Sequence, residues 1–133
     1  MGGCSMKPLT CEWIDKAEGD FVTASREIRV RKSPNYDAVC FHAQQCAEKY
    51  LKALLQEAEI PFGKTHHLVA LLELVLAVES SWELLRPQLQ CLNTYSVSVR
   101  YPGEAADKPM AREALSLAKL VRVEARKKLG LGS

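Results

Sequence analysis

No apolar run in this chain approaches the roughly 20 residues that a bilayer-spanning helix requires. The greasiest stretch, Leu68 to Val78, is short and interrupted by Glu73. The start, MGGCSM, is not followed by the apolar core of a secretory signal. Gly2 alone does not make a myristoylation site, because Met6 stands where that pattern needs Ser or Thr. Cysteine is present but unorganised: Cys4, Cys11, Cys40, Cys46 and Cys91 form no CxxC pair and no Cys/His metal spacing. An odd cysteine count without a framework predicts a reducing, cytoplasmic location, with residues 1–9 as a flexible N-terminus. No phosphate-cradling glycine loop, GxGxxG, nucleophile elbow or HExxH occurs, and the glycines are scattered singly. A stand-alone enzyme with a recognisable site is therefore not expected, and no cofactor or metal is implied. Neither sign of charge dominates: 18 Lys and Arg face 16 Asp and Glu, for a net +2. That balance does not argue for nucleic acid.

Strand alternation is also missing, and helical periodicity takes its place. A first helix is predicted from an N-cap at Thr10 to about Arg31, with Trp13, Ala17, Phe21, Ala24 and Ile28 as its apolar stripe. A second follows Ser33 as N-cap and Pro34 at the first position, carrying Tyr36, Cys40, Ala43, Ala47, Leu51, Leu54 and Ala58. Ile60 to Lys64 breaks that pattern. Thr65 is the expected cap of a third helix reaching Val78. A weaker fourth segment carries Trp82, Leu85, Leu89 and Leu92, with Pro87 forcing either a start or a kink there. Tyr101-Pro102-Gly103-Glu104 reads as a turn. A last helix runs from about Pro109 to Leu129, ends at Gly130, and carries Met110, Ala114, Leu117, Val121, Ala125 and Leu129. Short loops between long amphipathic helices predict an all-α, up-and-down antiparallel bundle of four main helices plus a shorter fifth. One domain over residues 10–130 and a tail at 131–133 complete the organisation.

The chemistry concentrates between Tyr36 and Leu72. Beside the apolar stripe of the second helix runs a second one: Phe41, Gln45, Glu48, Lys52 and Leu55. Its polar members, framed by apolar ones, are expected to be half-buried or to lie under a partner. Read as an exposed i,i+4 pair, Glu48 and Lys52 would contribute only ~0.2–0.5 kcal/mol. His42 and His66 lack the neighbours of a zinc site. His66, following the cap at Thr65, is expected in the first turn of the third helix in a structural role. Arg100 and Tyr101 precede the Pro-Gly turn of the one long loop, where a guanidinium fork and an aromatic ring suit phosphate and base. Basic residues gather at Arg26, Arg29, Arg31 and Lys32 and again at Lys119, Arg122, Arg126, Lys127 and Lys128. Both groups are expected to complement negative helix C-termini.

The run from Asp37 to Lys49 (DAVCFHAQQCAEK), then Leu51-Lys52-Ala53-Leu54, Lys64-Thr65-His66, Leu92-Asn93 and Arg100-Tyr101-Pro102-Gly103, resembles the HEPN domain family. The resemblance extends from about Trp13 to Leu129. It implies a bundle of four or five helices, usually homodimeric, related to the helical domain of kanamycin nucleotidyltransferase. It also implies frequent pairing with a minimal nucleotidyltransferase in a toxin–antitoxin-like arrangement. Many members are metal-independent RNases whose motif is Arg, four to six residues, then His. This chain has no Arg at that distance before His42, His66 or His67, and no His follows Arg100.

The leading expectation is therefore a non-catalytic domain. It would bind a nucleotide, a nucleotidyltransferase partner or both through His42, Gln45, Glu48, Lys52, Arg100 and Tyr101. Two alternatives stand beside it. One is a metal-independent RNase using Arg100 with His42 or His66. The other is a purely structural dimerisation module whose polar stripe is its interface.

Overall fold

Pro8, not Thr10, opens the first helix in the computed structural model, which describes residues 6–98 and 102–132, without the side chains of 96–98. Proline's fixed φ and missing N–H suit the first helical position, and α1 spans Pro8–Glu27. Thr10 consequently lies inside the helix, fully buried. The residue before Pro8 is anchored from elsewhere: Lys7 donates its backbone N–H to Glu57 Oε1 (3.1 Å) and its ammonium to the Glu57 carbonyl (2.9 Å). Pro8 and Leu9, expected in a flexible N-terminus, are thus helical; residues 1–5 lie outside the described residues.

α1 ends four residues before Arg31. Ser33 adopts φ 53°, so the chain is still turning there, and it does not cap α2. Asn35 does, its side chain accepting from the Ala38 N–H at 2.9 Å. α2 spans Tyr36–Glu57 and is the axis of the fold, packing most extensively on α1 and then on α5, with α3 and α4 also against it. Its burial runs around the helix, from Val39, Cys40 and Ala43 to Tyr50, Leu51 and Leu55. That is the pattern of a helix surrounded by others.

The third helix is shorter than its apolar periodicity suggests: α3 covers Leu68–Val75. Its cap is His67, whose ring nitrogen accepts from Ala70 N–H at 3.3 Å, not Thr65. Asn93 supplies a second acceptor from across the bundle, taking the Leu68 N–H at 2.9 Å. A 3-10 turn over Ser80–Leu85 holds Trp82 and Leu85 in the core, so these two precede the fourth helix and do not belong to it. α4 then spans Arg86–Ser98 with Pro87 in its first turn, which is where a proline at that position allows a helix to begin. Asp107 caps α5 (Lys108–Lys128), and Gly130 at φ 78° terminates it. Asp37 Oδ1 accepts the Ala106 N–H at 2.7 Å, tying the approach to α5 onto the start of α2.

All five helices and the turn among the described residues form one hydrophobic core, and no strand occurs among them. Two stripes are rotated from expectation. α1 buries Ile14, Ala17, Asp20 and Ala24 and leaves Trp13, Phe21 and Ile28 at the margin. α5 buries a line of small residues, Ala111, Ala114, Ala118, Val121 and Ala125, and keeps Met110, Leu117 and Leu129 as flanks. Large side chains at the edge of a small-residue seam let two helix backbones approach closely, so bulk alone misplaces the buried face. No helix among the described residues is long and apolar enough to cross a membrane.

Candidate functional site

Glu48 and Lys52 are not a surface pair. They are 2% and 4% exposed, respectively, in the middle of α2. Burial of charge is costly unless each ion is paired and hydrogen-bonded, and here both are. Glu48 Oε2 receives the Lys52 ammonium at 3.0 Å and the His66 Nδ1 at 2.9 Å. Its Oε1 accepts from Gln45 at 3.2 Å and, at 3.5 Å, from Gln44. Gln44 and Gln45 are themselves joined at 2.8 Å, and Gln44 also reaches the His66 carbonyl at 3.3 Å. The Lys52 ammonium lies 5.3 Å from the Trp13 ring centre and 5.9 Å from that of Phe62, whose rings meet edge to face. Aromatic faces stabilise a desolvated cation. Burial by itself raises the Glu48 pKa, but the hydrogen bonds from His66 and Lys52 outweigh it and hold the carboxyl below its usual range.

One step around α2, a carboxylate, an imidazole and a lysine meet again. Asp20, which α1 buries, takes the His42 Nδ1 on one oxygen at 2.7 Å and the Lys49 ammonium on the other at 2.5 Å. Each centre is thus one carboxylate holding one imidazole and one lysine. An ionised carboxylate only accepts, so the facing Nδ1 of each histidine carries the proton. With a neutral ring, Nε2 then keeps its lone pair as an acceptor. The His42 side chain is 30% exposed and that of His66 is 75%. Phe41, next to His42 on α2, is 38% exposed and packs edge to face on that imidazole. The outward side of α2 therefore presents an aromatic ring, two oriented imidazoles and Gln45, over lysines whose charge is already matched.

Of the residues expected to form the site, Gln45, Glu48 and Lys52 meet directly, and His42 belongs to the adjacent Asp20 centre. Arg100 and Tyr101 lie outside the described residues. His66 is not in a helical turn: α3 begins after it, and its ring folds back on Glu48. Asp20, Gln44, Lys49, Trp13 and Phe62 are participants that pattern reading left out. Asp20 did carry a signal, since it falls between Ala17 and Ala24 on the buried side of α1. A third cluster joins Glu18, Tyr50, Arg122 and Arg126. Arg122 makes a two-pronged contact with the Glu18 carboxylate (2.7 and 2.9 Å), and the Tyr50 hydroxyl donates to the same group. Its mutual satisfaction and its place between α1, α2 and α5 make it a structural clamp. Cys46 is buried, and desolvation first, then the nearby Glu18 and Asp20 charges, push its thiol pKa up. Cys40 is raised to about 11 for the same first reason. These are not reactive thiols. Among the described residues, no three His, Cys, Asp or Glu side chains converge as metal ligands would.

The model of the HEPN domain family matches residues 10–128, nearly the whole chain. The crystal structure of an archaeal HEPN homologue superimposes with a TM-score of 0.67 at 24% identity, over 90% of this chain and 97% of that one. At that identity the likeness concerns the fold. No curated protein matches the chain. Four helices packed around a central α2 among the described residues, together with a family match over residues 10–128, establish that the chain belongs to the HEPN domain family.

Proposed function

We propose that this chain is a non-catalytic HEPN recognition domain whose outward α2 face engages a protein partner. A minimal nucleotidyltransferase in a toxin–antitoxin-like pair is the class that the family resemblance suggests. One observation carries the reading: Phe41 stands exposed among polar groups that are already hydrogen-bonded and charge-matched. An aromatic anchor ringed by satisfied polar groups is the pattern of an interface hot spot. The same matching disfavours a nucleotide at this face, because Lys49 and Lys52 have no charge to spare for phosphate. The test is to read the neighbouring reading frames for a minimal nucleotidyltransferase and to co-express and co-purify it with the chain. Phe41→Asp is expected to abolish the complex without lowering Tm. The absence of any such neighbouring reading frame, or a complex indifferent to both Phe41→Asp and Gln45→Arg, defeats the proposal. If wild type is a dimer in light scattering and Phe41→Asp a monomer, the partner at this face is a second copy of the chain.

A second reading, a metal-independent RNase, is favoured by the Asp20–His42 bond. It fixes one ring proton and leaves Nε2 as a base within reach of solvent. RNA cleavage in chelator that is lost in His42→Ala would support it. No cleavage by the wild type under those conditions rules it out.

A further inference from the structure

Cations that form no ion pair among the described residues gather elsewhere. The end of α1, the segment leading into α2 and the first turns of α5 enclose an open cleft of about 710 Å³. Arg29, Arg31, Lys108 and Arg112 line it with Tyr36, and none of its lining residues is acidic. Among the described residues none of the four cations forms an ion pair. The carboxylates nearest in sequence are committed elsewhere: Glu113, beside Arg112, accepts from the Tyr95 hydroxyl and the Cys91 thiol, and three others bind backbone N–H groups. Glu27 accepts from Asn35 (2.8 Å), Asp37 from Ala106 (2.7 Å) and Asp107 from Met110 (2.9 Å). They stiffen the rim.

Helix dipoles account for only part of this. Arg29 follows the C-terminus of α1 and donates Nε–H to the Ser25 carbonyl at 2.9 Å, as a C-terminal cation does. Lys108 and Arg112, by contrast, occupy the N-terminal turns of α5, where the helix end is positive and cations are disfavoured. Placing two cations there, facing two more, with no carboxylate among the lining residues, sets up a positive field that water screens and an anion would neutralise. A single phosphate supplies too little charge for four cations; a chain of linked phosphates matches them. The cleft volume is that of a small-molecule site, and the half-buried Tyr36 offers a ring at its wall.

We infer that this cleft binds a ligand carrying two or more linked phosphates, with Arg31, Lys108 and Arg112 as the main contacts. The site shares no residue with the α2 face and stands whether or not that face binds a partner. Two sources of this chemistry exist: a bare polyphosphate chain and a nucleoside polyphosphate.

Calorimetric titration of the full chain with tripolyphosphate, ATP and orthophosphate at low ionic strength tests it. Tripolyphosphate is expected to bind at least about tenfold more tightly than orthophosphate, and to weaken with added salt. Arg31→Ser/Arg112→Ser is expected to cost about tenfold or more. Lys16→Ser/Lys119→Ser, removing exposed cations on other surfaces, is expected to cost less than about twofold. Lys108→Gln provides an independent single change should the double variant be poorly folded. Tyr36→Leu distinguishes the sources. Selective weakening of ATP identifies a nucleotide stacked on the ring, and equal weakening or none identifies the phosphate chain alone. No binding at millimolar ligand, or equal losses in the cleft and control pairs, overturns the inference.

Discussion

The outward face of α2 and the cleft between α1 and α5 are both rich in charge, and they use it in opposite ways. On α2, every lysine near the core faces a carboxylate and every carboxylate also holds a histidine. Around the cleft, Glu27, Asp37 and Asp107 bind backbone and Glu113 binds Tyr95, and the lining cations form no ion pair among the described residues. The difference follows from burial. Lys52 and Glu48 have left water, so an unpaired charge there would threaten the fold. Arg31, Lys108 and Arg112 remain exposed, so water solvates them and pairing is optional. Charge that is paired by necessity reports on stability. Charge left unpaired against a helix dipole reports on binding.

The largest effect should come from breaking the deepest pair. Lys52→Ala strands a buried carboxylate and is expected to cost about 3 kcal/mol, or roughly 10 °C in Tm. Glu48→Gln/Lys52→Met, which removes both charges and keeps much of the volume, should recover most of that loss in thermal unfolding. Equal destabilisation by the single and double variants would mean that packing of the lysine stem between Trp13 and Phe62, rather than charge, is what matters.

Acid should act on the same centre. The Glu48 carboxyl is held below its unfolded value, so the folded state binds its proton less readily than the unfolded chain does. Its contribution is complete above the unfolded pKa of about 4.5 and is lost as pH falls through the lower, folded one. Glu18 is shifted the same way: burial opposes the shift, and the hydrogen bonds from Arg122 and Tyr50 overcome it. Denaturant midpoints measured from pH 6 to 3 should therefore fall most steeply below about 4.5. That slope should be shallower in Glu48→Gln, and an unchanged slope would remove Glu48 from the account.

Asp20→Asn should come next, at about 2 kcal/mol, because the Lys49 ammonium and the His42 ring both lose a charged acceptor in a largely buried place. A loss this large at Asp20 would place the second centre with the first. A loss near zero would move it toward the cleft, as a group positioned for use rather than for stability.

Much of this was readable from the residues. Helical periodicity identified the bundle, Pro87 signalled either a start or a kink and proved to be the start of α4, and Gly130 marked the end of α5. The helix starts differ from the pattern wherever a competing residue lies within two positions: Pro8 at the first position against Thr10, Asn35 as cap against Ser33, and His67 as cap against Thr65. The polar stripe was found because Gln45, Glu48 and Lys52 share one helix face. Their partners were not, because Asp20, Trp13, Phe62 and His66 come from other segments, and only tertiary packing sets which of them arrive. The basic run at Arg29 and Arg31 was visible and looked like ordinary C-terminal complementarity. What changes its meaning is Lys108 and Arg112, far along the chain and at the wrong end of a helix for a cation.

The smallest expected effect is the most discriminating. Arg31→Ser/Arg112→Ser should change stability by no more than about 0.5 kcal/mol, since exposed residues outside a network seldom do more. At low ionic strength the change should be a slight gain, because two mutually repelling cations are gone, and added salt should erase it. A loss comparable to that of Asp20→Asn would show that the cleft cations hold the α1–α5 junction together, and the contrast between the two regions would collapse. A gain that fades with salt, alongside a loss of polyphosphate affinity, would mean that the cleft gives up stability to keep its field open. An unliganded binding site should carry that cost, and a structural charge cluster should not.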